Sequence, residues 1–263
     1  MKTDLRPYPI TCTTQPCYVR DSTLFTPFRH CSMKLLPTLI SVLALSLSAA
    51  ADAIELPASP LRETVPGLRI ESLDYPEHAA TEWQLRLQAP EAGESPLYEN
   101  LKSADFEVAF PANAAVMLHW SKGSHSEPGD FEPKTNPLLV GKTFSLESFG
   151  GRSSDGVMPY FNLASESGGL IMAIGWTGDW KASFELQDNG RVRVTAGLKR
   201  TRFRLAPGEE VRLPSILVMN YGGDWIDGQN QFRRLMLAHC TPKNHPPMTL
   251  MPVQAGVHGI FPF

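Results

Sequence analysis

The chain has 263 residues, a formal net charge of −3 and a charged fraction of 19%. This composition provides no basic field to attract nucleic acid, so that class of partner is excluded. The 20 glycines, 23 prolines and 9% aromatic residues indicate a turn-rich β protein rather than a helical bundle.

The N-terminal part is predicted to be a targeting segment that is separate from the fold. Residues 33–53 begin with a short basic start, continue through an uncharged run to Leu47, and end in Ala-Asp-Ala. Small residues then occupy the two positions that a signal peptidase reads. Because the apolar run is short for a membrane span, a secretory signal peptide is favoured over a membrane anchor. We therefore expect a secreted or periplasmic protein, with no membrane contact after cleavage.

Residues 1–32 carry no sustained period, and we expect them to be a mis-called, disordered extension ahead of a true start at Met33. Three of the four cysteines lie upstream of Met33. A mature chain that starts near Ile54 keeps only Cys240, which excludes an intrachain disulfide.

Apolar and polar residues alternate with period two through much of 54–240, and turn signals such as Asp188-Asn189-Gly190 separate the alternating runs. The pattern predicts an all-β domain over 54–240, an antiparallel β-sandwich. The alternating sets are Trp83, Leu85 and Leu87; Phe106, Val108 and Phe110; Val116, Leu118 and Trp120; Trp180, Ala182, Phe184 and Leu186; and Val192, Val194, Ala196 and Leu198.

Three segments depart from this pattern. Residues 121–137 are polar and turn-rich, which predicts a long surface loop. Residues 227–239 are predicted to form one short C-terminal helix, with Asp227 as its N-cap. Residues 241–263 are broken by prolines and are interpreted as a linker. The apolar face of the helix is predicted to comprise Phe232, Leu235, Met236 and His239.

The stretch LIMAIGWTGDW places Trp176 and Trp180 on either side of a polar turn, which we call the WTGDW turn. Trp180 opens an alternating set and is predicted to face the core, whereas Trp176 is free to point along the sandwich edge. Trp225 follows a similar Gly-Gly-Asp turn. Because indole faces stack on the C–H faces of sugars, Trp176 and Trp225 are candidate carbohydrate-binding residues, with core packing as the open alternative.

No recognisable nucleophile, base and orienting group occur together in the sequence, and no phosphate-binding or dinucleotide-binding motif is present. The histidines show no ligand spacing. The sequence therefore predicts no catalytic residue, no metal site and no cofactor.

From about Leu118 to Pro242 the chain resembles the N-terminal domain of glycoside hydrolase family 36, the α-galactosidases. The matching segments are LESFGGRSSDGVMPYFNL, GGLIMAIGWTGDWKASFE and RFRLAPGEEVRLPSILVMNYGGDWIDGQNQFRRLMLAH. The resemblance implies a large twisted antiparallel supersandwich. In that family, catalysis belongs to a following (β/α)₈ barrel, and no counterpart of its Lys-x-Asp nucleophile segment follows the matching region here.

The resemblance also implies a role for Asp155. In the family, an aspartate of a Gly-Arg-x-Asp segment reaches sugar hydroxyls, and Asp155 is the matching residue, although the spacing from Arg152 is one residue longer. A turn-capping role in a Gly- and Ser-rich loop is the alternative.

Three functions are compatible with the sequence. The first is the truncated front domain of a secreted α-galactosidase, which contributes α-galactoside binding and contacts to a barrel or a homo-oligomer partner without catalysis. The second is a free-standing carbohydrate-binding module, and the third is a structural domain without a ligand.

Overall fold

The computed structural model describes residues 54–111 and 113–241, which form fourteen strands and one α-helix. The helix α1 spans Trp225–Leu235, a 3₁₀ turn spans Pro76–His78, and a π-helical turn spans Met236–Cys240. The strands are β1 Leu68–Tyr75, β2 Ala80–Gln88, β3 Tyr98–Glu99, β4 Lys102–Ala109, β5 Met117–Ser121, β6 Pro133–Pro137, β7 Thr143–Glu147, β8 Tyr160–Ser165, β9 Gly168–Gly175, β10 Trp180–Leu186, β11 Arg191–Leu198, β12 Arg202–Phe203, β13 Glu210–Arg212 and β14 Ser215–Gly222.

Two antiparallel sheets form the domain. The larger has the order β1-β2-β14-β9-β8-β5-β6, with β13 also paired to β2, and the smaller has the order β4-β11-β10-β7. The strands β12 and β3 form a separate two-stranded ribbon. The predicted all-β antiparallel sandwich is thereby confirmed.

The main core lies between the two sheets and consists of the inward positions of the alternating strands. Trp83 from the larger sheet lies near Phe106 from the smaller one, and Phe161 packs edge-on against Trp180 and Phe184. The period-two pattern buries one face of each strand here, as predicted.

A second, smaller core lies on the outer face of the larger sheet, beneath α1. Phe232 and Leu235 of the helix pack there against Ile171 of β9 and against Leu217 and Met219 of β14. The neighbouring positions on these strands face the main core instead. Because β9 and β14 are buried on both faces, their sequences are continuous apolar runs without alternation.

The WTGDW turn carries the chain from one sheet to the other. It follows β9 of the larger sheet and precedes β10 of the smaller sheet, so it is a crossover and not a hairpin. Trp180 is fully buried in the main core, as predicted, whereas Trp176 is half-buried against it.

The predicted surface loop 121–137 is partly wrong, because its last residues form β6, which pairs with β5. This strand lies at the sheet edge and consists of Lys, Thr and Asn between two prolines, so the sequence lacks the apolar alternation that reveals other strands.

The start of the helix also needs correction. Asp224, not Asp227, is the N-cap, and its carboxylate accepts hydrogen bonds from the amides of Ile226 and Asp227. Asp227 completes the capping box by accepting from the Asp224 amide at 3.1 Å. At the other end Met236 and His239 are exposed, because the π-helical turn rotates them off the buried face.

Strand β1 is the edge of the larger sheet and is exposed along most of its length. It pairs with β2 over all eight positions from Leu68↔Leu87 to Tyr75↔Ala80. The larger sheet has eight strands and the smaller sheet has four, and β1 lies at one end of the larger sheet.

The predicted extension 1–32, the signal peptide 33–53 and the linker beyond Thr241 lie outside the described residues. Within the described part of the chain, no helix has the length and apolar content needed to cross a membrane.

Candidate functional site

The Asp155 loop, defined as residues 148–158, connects β7 to β8 and lies against the segment 121–125. The Ser124 amide donates to the Ser154 carbonyl at 2.8 Å. A Cβ at Gly123 would overlap the Ser154 carbonyl, so this close approach of two backbones requires glycine. The backbone contacts fix the loop from one side.

The Asp155 carboxylate is 3% exposed and accepts hydrogen bonds from two more exposed side chains. His125 Nδ1 lies 2.7 Å from Oδ1, and the Arg152 guanidinium donates to Oδ2. Gly150 has a φ of +64° and leaves space for the carboxylate, since a Cβ there would lie 2.7 Å from Oδ2. The carboxylate is paired with side chains on both oxygens, so the turn-capping alternative does not describe it.

The contacts shift the pKa of both titratable partners. The hydrogen bonds from His125 and Arg152 lower the pKa of Asp155, and the hydrogen bond to Asp155 raises the pKa of His125. The site therefore holds an ionised carboxylate at neutral pH, next to a permanent cation and an imidazole that is easier to protonate than usual.

A second carboxylate orders the loop that carries His125. Asp130 accepts from the backbone amides of His125 and Ser126, both at 2.9 Å, and from the Glu127 amide at 3.3 Å. The imidazole is thus presented to Asp155 from a turn with a defined backbone.

The WTGDW turn supports the Asp155 loop from the other side. The Trp180 indole N–H donates to the Ser153 carbonyl at 2.6 Å, and Asp179 Oδ1 accepts from the Gly151 amide at 2.9 Å. Trp180 therefore fills the core and holds the loop at once. Trp176 contributes differently, because its indole folds over Gly178 of its own turn and packs against the main core.

An aromatic side chain is exposed on the same loop. Phe149 is 48% exposed, and its ring lies over Gly156, whose φ is +78°. The Lys199 ammonium lies 4.5 Å from the ring centroid and donates to the Ser148 carbonyl at 2.9 Å. The loop thus combines an apolar face with charged groups of both signs.

Trp225 belongs to a different site, which we call the Trp225 cleft, on the outer face of the larger sheet. Trp225 is 39% exposed and stacks on His119, with ring centroids 4.5 Å apart and planes inclined by 11°. The cleft has a volume of about 240 Å³, and the residues that line it include His119, Trp120, Phe131, Tyr160, Trp225 and Gln229.

The environment of His119 differs from that of His125. Its Nδ1 lies 2.9 Å from the Thr135 hydroxyl, and burial lowers the pKa of His119. The imidazole that stacks on Trp225 is accordingly neutral at pH 7, and Lys134 is the charged residue among those that line the cleft.

A buried chain of hydrogen bonds positions Trp225. The Tyr221 hydroxyl donates to Asn162 Oδ1 at 2.6 Å, and Asn162 Nδ2 donates to the Trp225 carbonyl at 3.1 Å. Burial raises the pKa of Tyr221 to about 12. Gly228 of α1 lies against the Tyr221 ring, where a Cβ would overlap it. The first turn of α1 is therefore fixed to the larger sheet.

The three predicted site residues fall into two groups. Asp155 lies on the β7–β8 connection and Trp176 on the β9–β10 connection, and these two connections contact each other. Trp225 lies apart from them, in the Trp225 cleft. Sequence reasoning missed His125, Arg152 and Phe149 as neighbours of Asp155. It also missed His119. The one indication in the sequence was that His119 precedes Trp120 in the alternating run that forms β5.

Solved structures show what this fold is similar to, although neither a family model nor a curated relative matches the sequence. The alpha-galactosidase from Lactobacillus brevis matches with a TM-score of 0.54 and 16% identity, over 65% of this chain and 23% of that chain. The galactosidase domain of the alpha-galactosidase-sucrose kinase AgaSK matches with a TM-score of 0.51 and 18% identity, over 59% of this chain and 22% of that chain.

A third match is the GH36 alpha-galactosidase AgaA from Geobacillus stearothermophilus, with a TM-score of 0.43, 18% identity, and coverage of 60% of this chain and 22% of that chain. The chain therefore matches less than a quarter of the length of each of these proteins. The resemblance to α-galactosidases is confirmed at the level of the fold, over a part of those proteins.

Proposed function

We propose that this chain is the β-sandwich domain of a secreted α-galactosidase-like glycoside hydrolase, and that it contributes carbohydrate binding and domain contacts rather than catalysis. The observation that carries the proposal is the shared fold with two α-galactosidases over less than a quarter of their length.

The Asp155 loop is the proposed carbohydrate site. Sugar hydroxyls both donate and accept hydrogen bonds. The loop offers an ionised carboxylate as acceptor and the Arg152 guanidinium as donor, and His125 of the adjoining segment offers a further donor. Phe149 adds an exposed ring for the C–H face of a sugar. Since the side chains of Arg152 and His125 are 65% and 59% exposed, they can turn to share Asp155 with a ligand.

Hydrolysis is assigned to another part of the enzyme. A retaining glycosidase needs two carboxyl groups about 5–5.5 Å apart on either side of the scissile bond. Both oxygens of Asp155 are occupied by Arg152 and His125, and the one Lys-x-Asp of the sequence, Lys2-Thr3-Asp4, precedes the sandwich instead of following it. The proposed partner is a (β/α)₈ barrel or a homo-oligomeric neighbour that supplies these groups.

Two measurements on the purified chain test this function. We expect no hydrolysis of p-nitrophenyl α-galactoside above the buffer rate, and saturable binding of an α-galactoside such as melibiose by calorimetry. Asp155→Asn should abolish the binding, whereas Asp188→Asn, in the exposed β10–β11 turn, should retain it. Turnover that is sensitive to a glycosidase inhibitor would contradict the absence of catalysis, and unchanged binding by Asp155→Asn would contradict the assigned site.

A second candidate function is a free-standing carbohydrate-binding module that uses the Trp225 cleft. The observation that favours it is the exposed indole of Trp225 beside an open cleft. A sugar array followed by Trp225→Ala and Asp155→Asn distinguishes the two sites, because each function predicts loss of binding in only one variant. A structural domain without a ligand would bind no sugar on the array.

A further inference from the structure

Three potential metal ligands meet at a place remote in sequence from the Asp155 loop. Glu77 and His78 lie on the 3₁₀ turn between β1 and β2, and His239 lies on the π-helical turn after α1. One ligand atom of each residue lies within 4.8 Å of the other two. Glu77 Oε1 and His239 Nε2 are 2.7 Å apart, and the two imidazole rings meet edge to face at 5.5 Å.

The backbone on both sides of this cluster is held in place. Gln231 of α1 donates to the carbonyl of His78 at 2.7 Å, which ties the 3₁₀ turn to the helix. The Tyr75 ring lies 4.7 Å from the His239 ring and limits its rotation. A single π-helical turn at the end of an α-helix changes the direction in which side chains project, and such turns are frequent at functional sites.

The set of donor atoms is suited to a transition metal. Two imidazole nitrogens and one carboxylate oxygen form the ligand set that zinc accepts alongside water. Glu77 supplies the carboxylate oxygen, which already lies within hydrogen-bond distance of His239 Nε2. Glu77 and His239 are exposed, which leaves a path for the ion and room for water ligands.

We propose that Glu77, His78 and His239 bind one divalent first-row transition-metal ion, with Zn²⁺ as the expected occupant. The ion would join the turn between β1 and β2 to the C-terminal end of α1. This site is independent of the carbohydrate function, because it contains no residue of the Asp155 loop or the Trp225 cleft.

Binding of the ion has a direct consequence for stability. An ion that binds the folded chain and not the unfolded chain raises the melting temperature in proportion to the logarithm of its concentration above the dissociation constant. The three ligands come from segments at opposite ends of the described chain, so the unfolded state does not present them together.

The test uses the full chain after removal of metal by chelation. Calorimetric titration with Zn²⁺ should show one saturable site that involves this cluster, and Zn²⁺ should raise the melting temperature. His78→Ala and His239→Ala should each weaken this site at least about tenfold and remove the thermal shift. Glu77→Gln keeps the size of the side chain and removes its charge, and it should weaken binding in the same direction.

Matched controls separate this site from other donors. His119→Ala, Cys240→Ser and the double variant His245→Ala/His258→Ala should each retain the affinity of the unaltered chain. With Co²⁺ as probe, the absorption spectrum should lack the intense thiolate charge-transfer band that a cysteine ligand produces. The absence of saturable binding, or binding that survives in a His78→Ala/His239→Ala double variant with a native circular dichroism spectrum, would overturn the proposal.

Discussion

The Asp155 loop and the Trp225 cleft each bring an exposed aromatic ring together with a histidine, His125 and His119 respectively, yet the two histidines have opposite electrostatic environments. His125 is exposed beside an ionised carboxylate, and its pKa is raised. His119 is half-buried beneath Trp225, and its pKa is lowered. The pKa values of two histidines six positions apart in the sequence are therefore shifted in opposite directions by what the imidazoles contact. The first site presents charged hydrogen-bonding groups, and the second presents a stacked imidazole and indole.

The largest expected effect concerns the connection between the Asp155 loop and the main core. Trp180→Ala removes a fully buried side chain and the hydrogen bond to Ser153, and it should cost about 3–5 kcal/mol of unfolding free energy. Trp176→Ala should cost far less, because that side chain is only half-buried. Denaturant melts of both variants measure the difference. Equal, large losses would mean that both tryptophans simply fill the core.

The next effect concerns the support of the Trp225 cleft. Tyr221→Phe leaves the buried side-chain oxygen Oδ1 of Asn162 without its hydrogen-bond donor. The variant should lose about 1–3 kcal/mol of unfolding free energy. The fluorescence of Trp225 should also change, because Asn162 holds the first turn of α1.

The control for this variant is Tyr75→Phe, whose hydroxyl makes a longer bond of 3.3 Å to Glu82 near the surface. It should change the unfolding free energy by no more than about 0.5 kcal/mol. If the two variants were equally stable, the buried hydrogen-bond chain would not be what positions the helix.

A smaller effect is expected in the titration of the two histidines. By NMR, the imidazole of His125 should titrate above the ordinary value of about 6.5, and that of His119 should titrate below it. Asp155→Asn should lower the pKa of His125 and leave that of His119 unchanged, because Asp155 is the main cause of the first shift. A common titration midpoint for both rings would remove the contrast between the sites.

The smallest effect is the pH dependence of stability. Because the pKa of folded His125 is raised, its contribution is complete below about pH 6.5 and is lost as the pH rises through the raised value. The pKa of Asp155 is lowered, so its contribution is present above about pH 4 and is lost as the pH falls through the lowered value. His125→Gln should therefore lower the melting temperature slightly at about pH 5–6 and have no effect at about pH 8. A constant difference across this range would argue against the ion pair.

Much of the sandwich could be predicted from the sequence, because a strand with one buried face has an alternating pattern that is local. Three features could not be predicted in that way. Strand β9 is buried on both faces, and only the docking of α1 explains its continuous apolar run. Strand β6 has three polar residues between two prolines and no apolar alternation. Asp224 and Asp227 have the same side chain, so the sequence alone does not show which one caps the helix. The extended backbone at Asp224 makes it the N-cap.

The candidate sites were less accessible to sequence reasoning. Asp155 was found through family resemblance, and its role in binding sugar stays a prediction. Its partner His125 comes from a separate loop, and no spacing rule connects the two. His78 and His239 are likewise distant in sequence, so a search for ligand spacing could not bring them together.

The exposed edge strand β1 has a consequence for how the fold opens. A segment with few buried apolar contacts separates from its neighbours at a lower free energy than the global unfolding of the domain. Strand β1 is held mainly by its ladder to β2, with side-chain ties such as Arg69 to Glu210, whereas β9 is covered on both faces. Amide protons of β1 should therefore exchange with solvent through local fraying, while those of β9 exchange only when the whole sandwich unfolds.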